Sequence, residues 1–295
     1  MVNEVLRRQK FLGTAQTLVL AVLMVGLAFF VGRQLFGSFG ILVAVAVALF
    51  ALYVSTRPAL PAELARVPEL DRFSAPALTS IVAMLSRRAG LSVRPHLHLI
   101  PSGALNAITF GTRDESHLVV TRPLLESLTP RELSAVLAHE IAHIRNGDLQ
   151  LFRYVDILRR TTQFMSRLGW FLLLVTIPLL FVSYSLVPLT LALVLIAAPM
   201  VSLLLQLALF RTREFEADRT AAELTGDPRG LAEALYRLDH PHPGLFRLLF
   251  PVPQRGESPL FRTHPESEER IRRLLALSSS QNAGWSPIGS LRANR

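Results

Sequence analysis

The chain has 295 residues, 51% of them hydrophobic and only 18% charged, with 31 basic against 22 acidic side chains and a formal net charge of +9. A mean hydropathy of +0.38 is too high for an ordinary soluble protein, and the lack of cysteine excludes disulfides, thiolate metal sites and a cysteine nucleophile. The basic residues are scattered, without interleaved aromatic platforms, which argues against nucleic acid as a partner.

Phe11 to Val31 and Ile41 to Thr56 carry no charge, and each approaches the ~20 apolar residues that a spanning helix needs. Arg7, Arg8 and Lys10 precede the first segment, as they would in a secretory leader. No small-residue cleavage site follows, and a second apolar segment comes at once, so the first reads as a retained anchor.

Residues 57–73 form a Pro-containing linker. Ser74 to Arg88 then reads as an amphipathic helix, with Leu78, Ile81, Val82 and Leu85 on one face and Gly90 as its stop. A strand-like region follows: His96 to Ile100 alternates, Ala104 to Phe110 is a second candidate and His117 to Thr121 a third, with Gly111 to Ser116 as the turn between the last two. His96 and His98 share a face of their strand, and the simple period-two pattern favours a polar strand face over a metal pair. An exposed strand edge can pair with an extended polypeptide through main-chain hydrogen bonds, and the strand holding Asn106 and Ala107 is the one expected to do so.

The most informative stretch is Val136 to Asp148, which carries His139, Glu140 and His143 in the order H-E-x-x-H. Residues four apart stack on one face of a helix, so both imidazoles can reach one ion, while Glu140 is displaced by about 100°. Neutral imidazole suits zinc, and a carboxylate beside a metal-activated water is what peptide hydrolysis requires. Thr129-Pro130-Arg131-Glu132 is a capping box with proline at the first helical position, Leu133, Val136, Leu137, Ile141 and Ile144 supply an apolar flank, and Asn146-Gly147 supplies a stop. The motif therefore lies on a helix, the context it needs.

Asp148 to Arg167 reads as a helix leading into an uncharged block, Leu168 to Phe210, long enough for two spans. Ser183 to Ser185 and Pro188 mark the turn between them. Arg211-Thr-Arg-Glu-Phe-Glu-Ala-Asp218 follows at once. On a continuing helix Glu214 and Asp218 are one turn apart on one face. They would suit a third metal ligand and a carboxylate accepting the second ring N–H of a ligating histidine. Spacing alone serves equally well a pair of solvated carboxylates among arginines, and Glu216 faces away. Residues 219–240 read as two helices broken at Gly226-Asp227-Pro228, 240–260 as a Pro-rich loop, and Phe261 onward as a charged helix ending near Leu277. The Ser- and Asn-rich remainder, 278–295, reads as a disordered tail.

The expected fold is mainly α with a small β-sheet, in a polytopic membrane protein of four transmembrane helices. Its segments are a first hairpin over 1–56, a catalytic portion over 57–167, a second hairpin over 168–210 and a second catalytic portion over 211–277. Arg7, Arg8, Lys10 and Arg57 flank the first pair and Arg159, Arg160, Arg167, Arg211 and Arg213 the second, against Arg33 alone in the opposite loops. By the positive-inside rule both termini and the zincin-like H-E-x-x-H domain face the cytoplasm, and the basic excess is attracted to anionic lipid.

His139 to Asp148, Arg211 to Asp218 and Thr263-His-Pro265 occur in this order, with the phrases Arg88 to Leu91 and Leu224 to Pro228. Together they resemble the HtpX-type membrane zinc metalloproteases, relatives of the CAAX prenyl endopeptidases. The resemblance covers nearly the whole chain. It implies one Zn²⁺ per chain held by His139, His143 and Glu214, with Glu140 as catalytic base and Asp218 supporting a zinc-bound histidine. It further implies a protease of the cell inner membrane acting in stress response and quality control on misfolded or damaged membrane proteins. His264 matches a family histidine near the site, for substrate binding or oxyanion stabilisation, with Asn106 as a second such candidate. Phe210 and Leu105 depart from the family's usual Ser and Pro. Two other readings stand beside this one: a site-specific processing peptidase of the CAAX type, and a non-catalytic membrane scaffold with structural zinc.

Overall fold

The computed structural model describes residues 67–71, 73–181, 189–239 and 267–283, with scattered positions between 15 and 57. Its elements in chain order are α1 (Pro76–Arg88), β1 (His96–Ile100), β2 (Ala107–Gly111), β3 (Ser116–Thr121), α2 (Arg122–Ser127), α3 (Pro130–Asn146), α4 (Asp148–Phe181), α5 (Leu189–Thr225), α6 (Pro228–Asp239) and α7 (Ser267–Ala283). The chain divides into two compact units. One comprises Met1–Leu60, Phe110–Ser116 and Gly147–Glu216, and the other Pro61–Thr109, His117–Asn146 and Ala217–Arg295. The division falls inside α5, between Glu216 and Ala217.

In the unit that holds α3, local chemistry marks where several elements begin and end. Before α1, Asp71 Oδ1 accepts the backbone N–H groups of Phe73 and Ser74 at 3.0 and 2.8 Å, which displaces the helix start from the expected Ser74 to Pro76. Gly90 ends the helix with φ +67°. The expected capping box is present. Thr129 N–H and Oγ1 both donate to Glu132 Oε2 at 2.8 Å, and the Glu132 N–H donates back to Thr129 Oγ1 at 3.3 Å. Gly147, with φ +76°, closes α3.

The sheet has the order β1-β3-β2, with β1 and β3 parallel from His96↔His117 to Ile100↔Thr121. Gly111 turns the chain between β2 and β3 at φ +102°, where a Cβ would lie 2.1 Å from the Glu115 carbonyl oxygen, so only glycine fits. Strand β2 starts at Ala107 rather than Ala104, because the preceding N–H groups are already used. Ala104 donates to Ser102 Oγ at 3.2 Å, and Asn106 to Thr121 Oγ1 at 3.0 Å. At the other margin, Val67 to Leu70 lies against β1, through an antiparallel Glu69↔His98 bridge and a Leu70 N–H to Leu97 O bond of 2.7 Å.

Helix α3 runs through the middle of this unit. Every residue from Ala135 to Ile144 is buried, against a core that includes Leu85, Leu118, Leu124, Leu231 and Leu274. Helix α7 continues past Leu277 to Ala283, with Ser278 bonded to Arg229.

In the other unit α4 and α5 pack antiparallel. Val155 and Leu158 meet Leu209, and Met165 and Leu172 meet Leu195. At Gly169 a Cβ would lie 2.7 Å from the Leu195 Cβ, so the close approach of the two helices depends on that glycine. Asp148 and Arg213 form a buried ion pair at 2.5 Å. Facing outward are large apolar side chains, Trp170, Phe171, Leu174, Leu204 and Leu207 among them. Among the described residues one helix, α5 from Leu191 onward, is long and apolar enough to cross a membrane. The first expected hairpin falls largely outside the described residues, although every described position from Ala15 to Val54 is helical. The expected turn at 183–188 and all of 240–266 also lie outside them.

Candidate metal centre

Helix α3 presents His139 and His143 one turn apart, their Nε2 atoms 3.2 Å from each other and their rings edge-to-face at 4.7 Å. Two imidazole nitrogens sharing a tetrahedral ion at about 2.0 Å would stand roughly 3.3 Å apart, so the pair is already spaced for one metal. Asp218 Oδ1 lies 3.0 Å from His139 Nδ1. A carboxylate only accepts, so Nδ1 carries the proton and Nε2 keeps its lone pair for the ion.

Glu214 precedes Asp218 by one turn of α5, so the helix itself ties the two together. One donor atom each from His139, His143 and Glu214 lies within 4.8 Å of the others, and all three residues are buried. Two imidazoles and a carboxylate form a borderline, partly hard donor set suited to zinc.

Two residues that sequence reasoning missed complete the surroundings. Arg270 of α7 clamps Asp218 from two nitrogens, Nε to Oδ2 at 2.7 Å and Nη2 to Oδ1 at 2.6 Å, and is itself almost fully buried. Asp218 lies beyond the apolar stretch of α5, which ends at Phe210. Burial pushes its carboxyl up, but the Arg270 guanidinium, aided by His139, holds it down at about 2. The anion that orients His139 is thus itself held in place. A signal for Arg270 existed: it lies four residues before the core residue Leu274, hence on the inward face of an otherwise charged helix.

The second missed residue is Thr109 of β2, whose Oγ1 donates to Glu140 Oε2 at 2.8 Å, both groups being buried. No sequence pattern singles it out, since the contact joins a strand to a helix across the core.

The remaining expected site residues fare differently. Asn106 bonds through its backbone to Thr121, and its buried side-chain nitrogen has no hydrogen-bond partner among the described residues. No described contact ties it to the histidine cluster. His264 lies outside the described residues.

Residues 73–278 match the family model of peptidase family M48. The chain is 36% identical over 287 residues to a protein named Protease HtpX homolog from Acaryochloris marina, covering 88% of this chain and 91% of that one. Proteins of the same name from Persephonella marina and Polynucleobacter necessarius are 31% and 30% identical, each over 90% of this chain and over 97% and 96% of their own length.

Proposed function

The chain belongs to peptidase family M48, whose members are metalloproteases, and on that premise we propose that it is a zinc-dependent endopeptidase of the membrane. The observation that carries this reading is the buried His139, His143 and Glu214 group, with donor atoms within 4.8 Å, beside a Glu140 that is not part of it. A structural zinc site usually takes four protein donors, whereas a catalytic one keeps a position open. Three donors among the described residues favour catalysis over a scaffold.

Zinc, when bound there, would supply Lewis-acid activation of a water and of the scissile carbonyl. The chain's own residues do the rest. Glu140 accepts the proton of the attacking water through Oε1 and returns it to the departing amine nitrogen, while Thr109 fixes Oε2. Asp218, clamped by Arg270, keeps His139 in the orientation and tautomer that leave Nε2 available. Strand β2 is at the margin of the sheet and its Thr109 touches Glu140. A polypeptide pairing with that margin would bring its backbone to the base without regard to sequence, which fits substrates that are misfolded or damaged membrane proteins.

Zinc analysis and proteolysis of the wild type, Glu140→Ala and Glu214→Ala test the mechanism. Glu140→Ala should keep zinc and lose cleavage, and Glu214→Ala should lose both. Proteolysis by a zinc-loaded Glu140→Ala protein would sink the assignment of the base. Prenylated peptides compared with an unfolded membrane protein as substrates separate quality control from site-specific processing. The topology proposed with it, four spans with the catalytic portion in the cytoplasm, is tested by single cysteines. One at Ser258 should be shielded from an impermeant thiol reagent in intact cells, and one at Ser38 labelled.

A further inference from the structure

Three of the chain's eight histidines are gathered away from the H-E-x-x-H helix, on β1 and β3. His96 and His117 are register partners in the parallel pair, with rings stacked at 5.0 Å, and the His98 ring lies 5.3 Å from that of His117. The alternation of β1 explains why His96 and His98 share a face. It does not explain why both rings are tethered, from the same side, by the short segment Val67 to Leu70.

Those tethers settle where the protons are. His98 Nδ1 lies 3.2 Å from the Val67 carbonyl oxygen, and His96 Nδ1 lies 2.9 Å from Glu69 Oε2. Carbonyl and carboxylate oxygens only accept, so both Nδ1 atoms are protonated, and in the neutral rings the Nε2 atoms carry the lone pairs. Imidazole donating its second N–H to a carboxylate or a backbone carbonyl is the usual arrangement around a ligating histidine. It is also the arrangement at His139, whose Nδ1 meets Asp218 at 3.0 Å. The likeness extends to the spacing of the donors. His98 Nε2 is 3.1 Å from His117 Nδ1, against 3.2 Å between the Nε2 atoms of His139 and His143.

We propose that His96, His98 and His117 form a second, weaker divalent-metal site, with His98 Nε2 and His117 Nδ1 as its primary donors. His96 joins through Nε2 by a rotation of its half-exposed ring. Glu69 and the Val67 carbonyl are outer partners that fix the tautomers. An all-imidazole site selects borderline transition metals, Zn²⁺, Ni²⁺ or Cu²⁺, over Mg²⁺ or Ca²⁺. Because the ligands sit on β1 and β3 while the outer partners sit on residues 67–69, a bound ion would staple that segment to the sheet. The site is independent of the catalytic proposal, sharing no residue with it.

The test is a Zn²⁺ titration of the full-length protein in detergent, in competition with a chromophoric chelator, using Glu140→Ala to prevent self-cleavage. Two sites per chain are expected. On that background His98→Ala should remove the weaker site and leave the tighter one, while His139→Ala should do the reverse. Glu69→Gln should weaken only the second site, by about 10–100-fold. In the otherwise wild-type protein His98→Ala should keep proteolysis. Should His98→Ala fail to fold, the exposed pair His96→Gln and Glu69→Gln gives the same readout. A stoichiometry of one that His139→Ala abolishes, or a second site indifferent to all of these changes, overturns the proposal while leaving the catalytic assignment intact. Retention of both sites in His139→Ala would instead count against the catalytic assignment.

Discussion

In α3 the large aliphatic side chains Leu137 and Ile141 are fully buried, whereas in α4 and α5 Phe171, Leu174 and Leu204 are 60%, 71% and 60% exposed. The polar groups are reversed too. What α4 and α5 bury includes Thr176, Ser202 and Gln206, with Gln206 bonded to Ser202 and Gly169 tight against Leu195. Helix α3 is sorted by water, which drives apolar surface inward. Between α4 and α5 small and polar residues form part of the contact surface instead, the pattern expected of helices that meet in hydrocarbon under the proposed topology. The same alphabet is thus used in opposite ways within one chain. The polar side chains buried in α3, Glu132, His139, Glu140 and His143, are a different case from both, and each is held by a named partner.

The largest expected effect separates those two kinds of buried polar group. Glu140→Ala should cost about 10²–10⁴-fold in proteolysis, the usual worth of a general base, whereas Gln206→Leu should leave the specific activity of inserted protein unchanged. Comparable losses in a peptide-cleavage assay would break the distinction. Next in size is Arg270→Ala, which strands the Asp218 carboxylate without its partner. It should cost about 3–5 kcal/mol of stability, read from chemical unfolding in detergent, and lower zinc affinity by about 10–100-fold. The two surroundings are compared by paired truncations. Leu137→Ala should cost about 2–5 kcal/mol, and Leu174→Ala under about 0.5 kcal/mol, as at an ordinary outward-facing position. Equal costs would mean that Leu174 faces a packed protein interior. The smallest effect concerns Thr109. Removing its hydroxyl in Thr109→Val should lower kcat about tenfold, near 1.4 kcal/mol, with zinc content unchanged, and Thr109→Ser should restore it.

What could be read in advance follows the reach of each interaction along the chain. The start and stop of α3 depend on Thr129, Glu132 and Gly147, all neighbours in sequence, and were legible. So was the placement of Glu214 and Asp218 on one helix face, which a single turn dictates, although spacing alone left their role open. Thr109 and Arg270 are 31 and 131 residues from the α3 residues they approach, and no local pattern encodes that distance. The start of β2 was misplaced because Ser102 and Thr121 side chains take backbone N–H groups that alternation would assign to a strand. The run Ser278 to Ser280 is polar enough to read as tail, yet α7 continues through it, where Ser278 finds the Leu275 carbonyl and the Arg229 side chain.

Helix α5 has no break where its apolar stretch gives way to Arg211 and the acidic residues beyond. The outward-facing apolar stripe and the two carboxylates are therefore cut on one screw. A single residue inserted after Phe210 would advance Glu214 and Asp218 by about 1.5 Å and swing them through about 100°, off the imidazoles. Two residues would do worse, and even an insertion of seven, close to two whole turns, would nearly restore the phase but leave them about 10 Å further along the axis. Relatives that keep this donor set should then tolerate substitutions freely between Phe210 and Glu214 while forbidding changes in length, so that the spacing there is more constant than the residues that fill it.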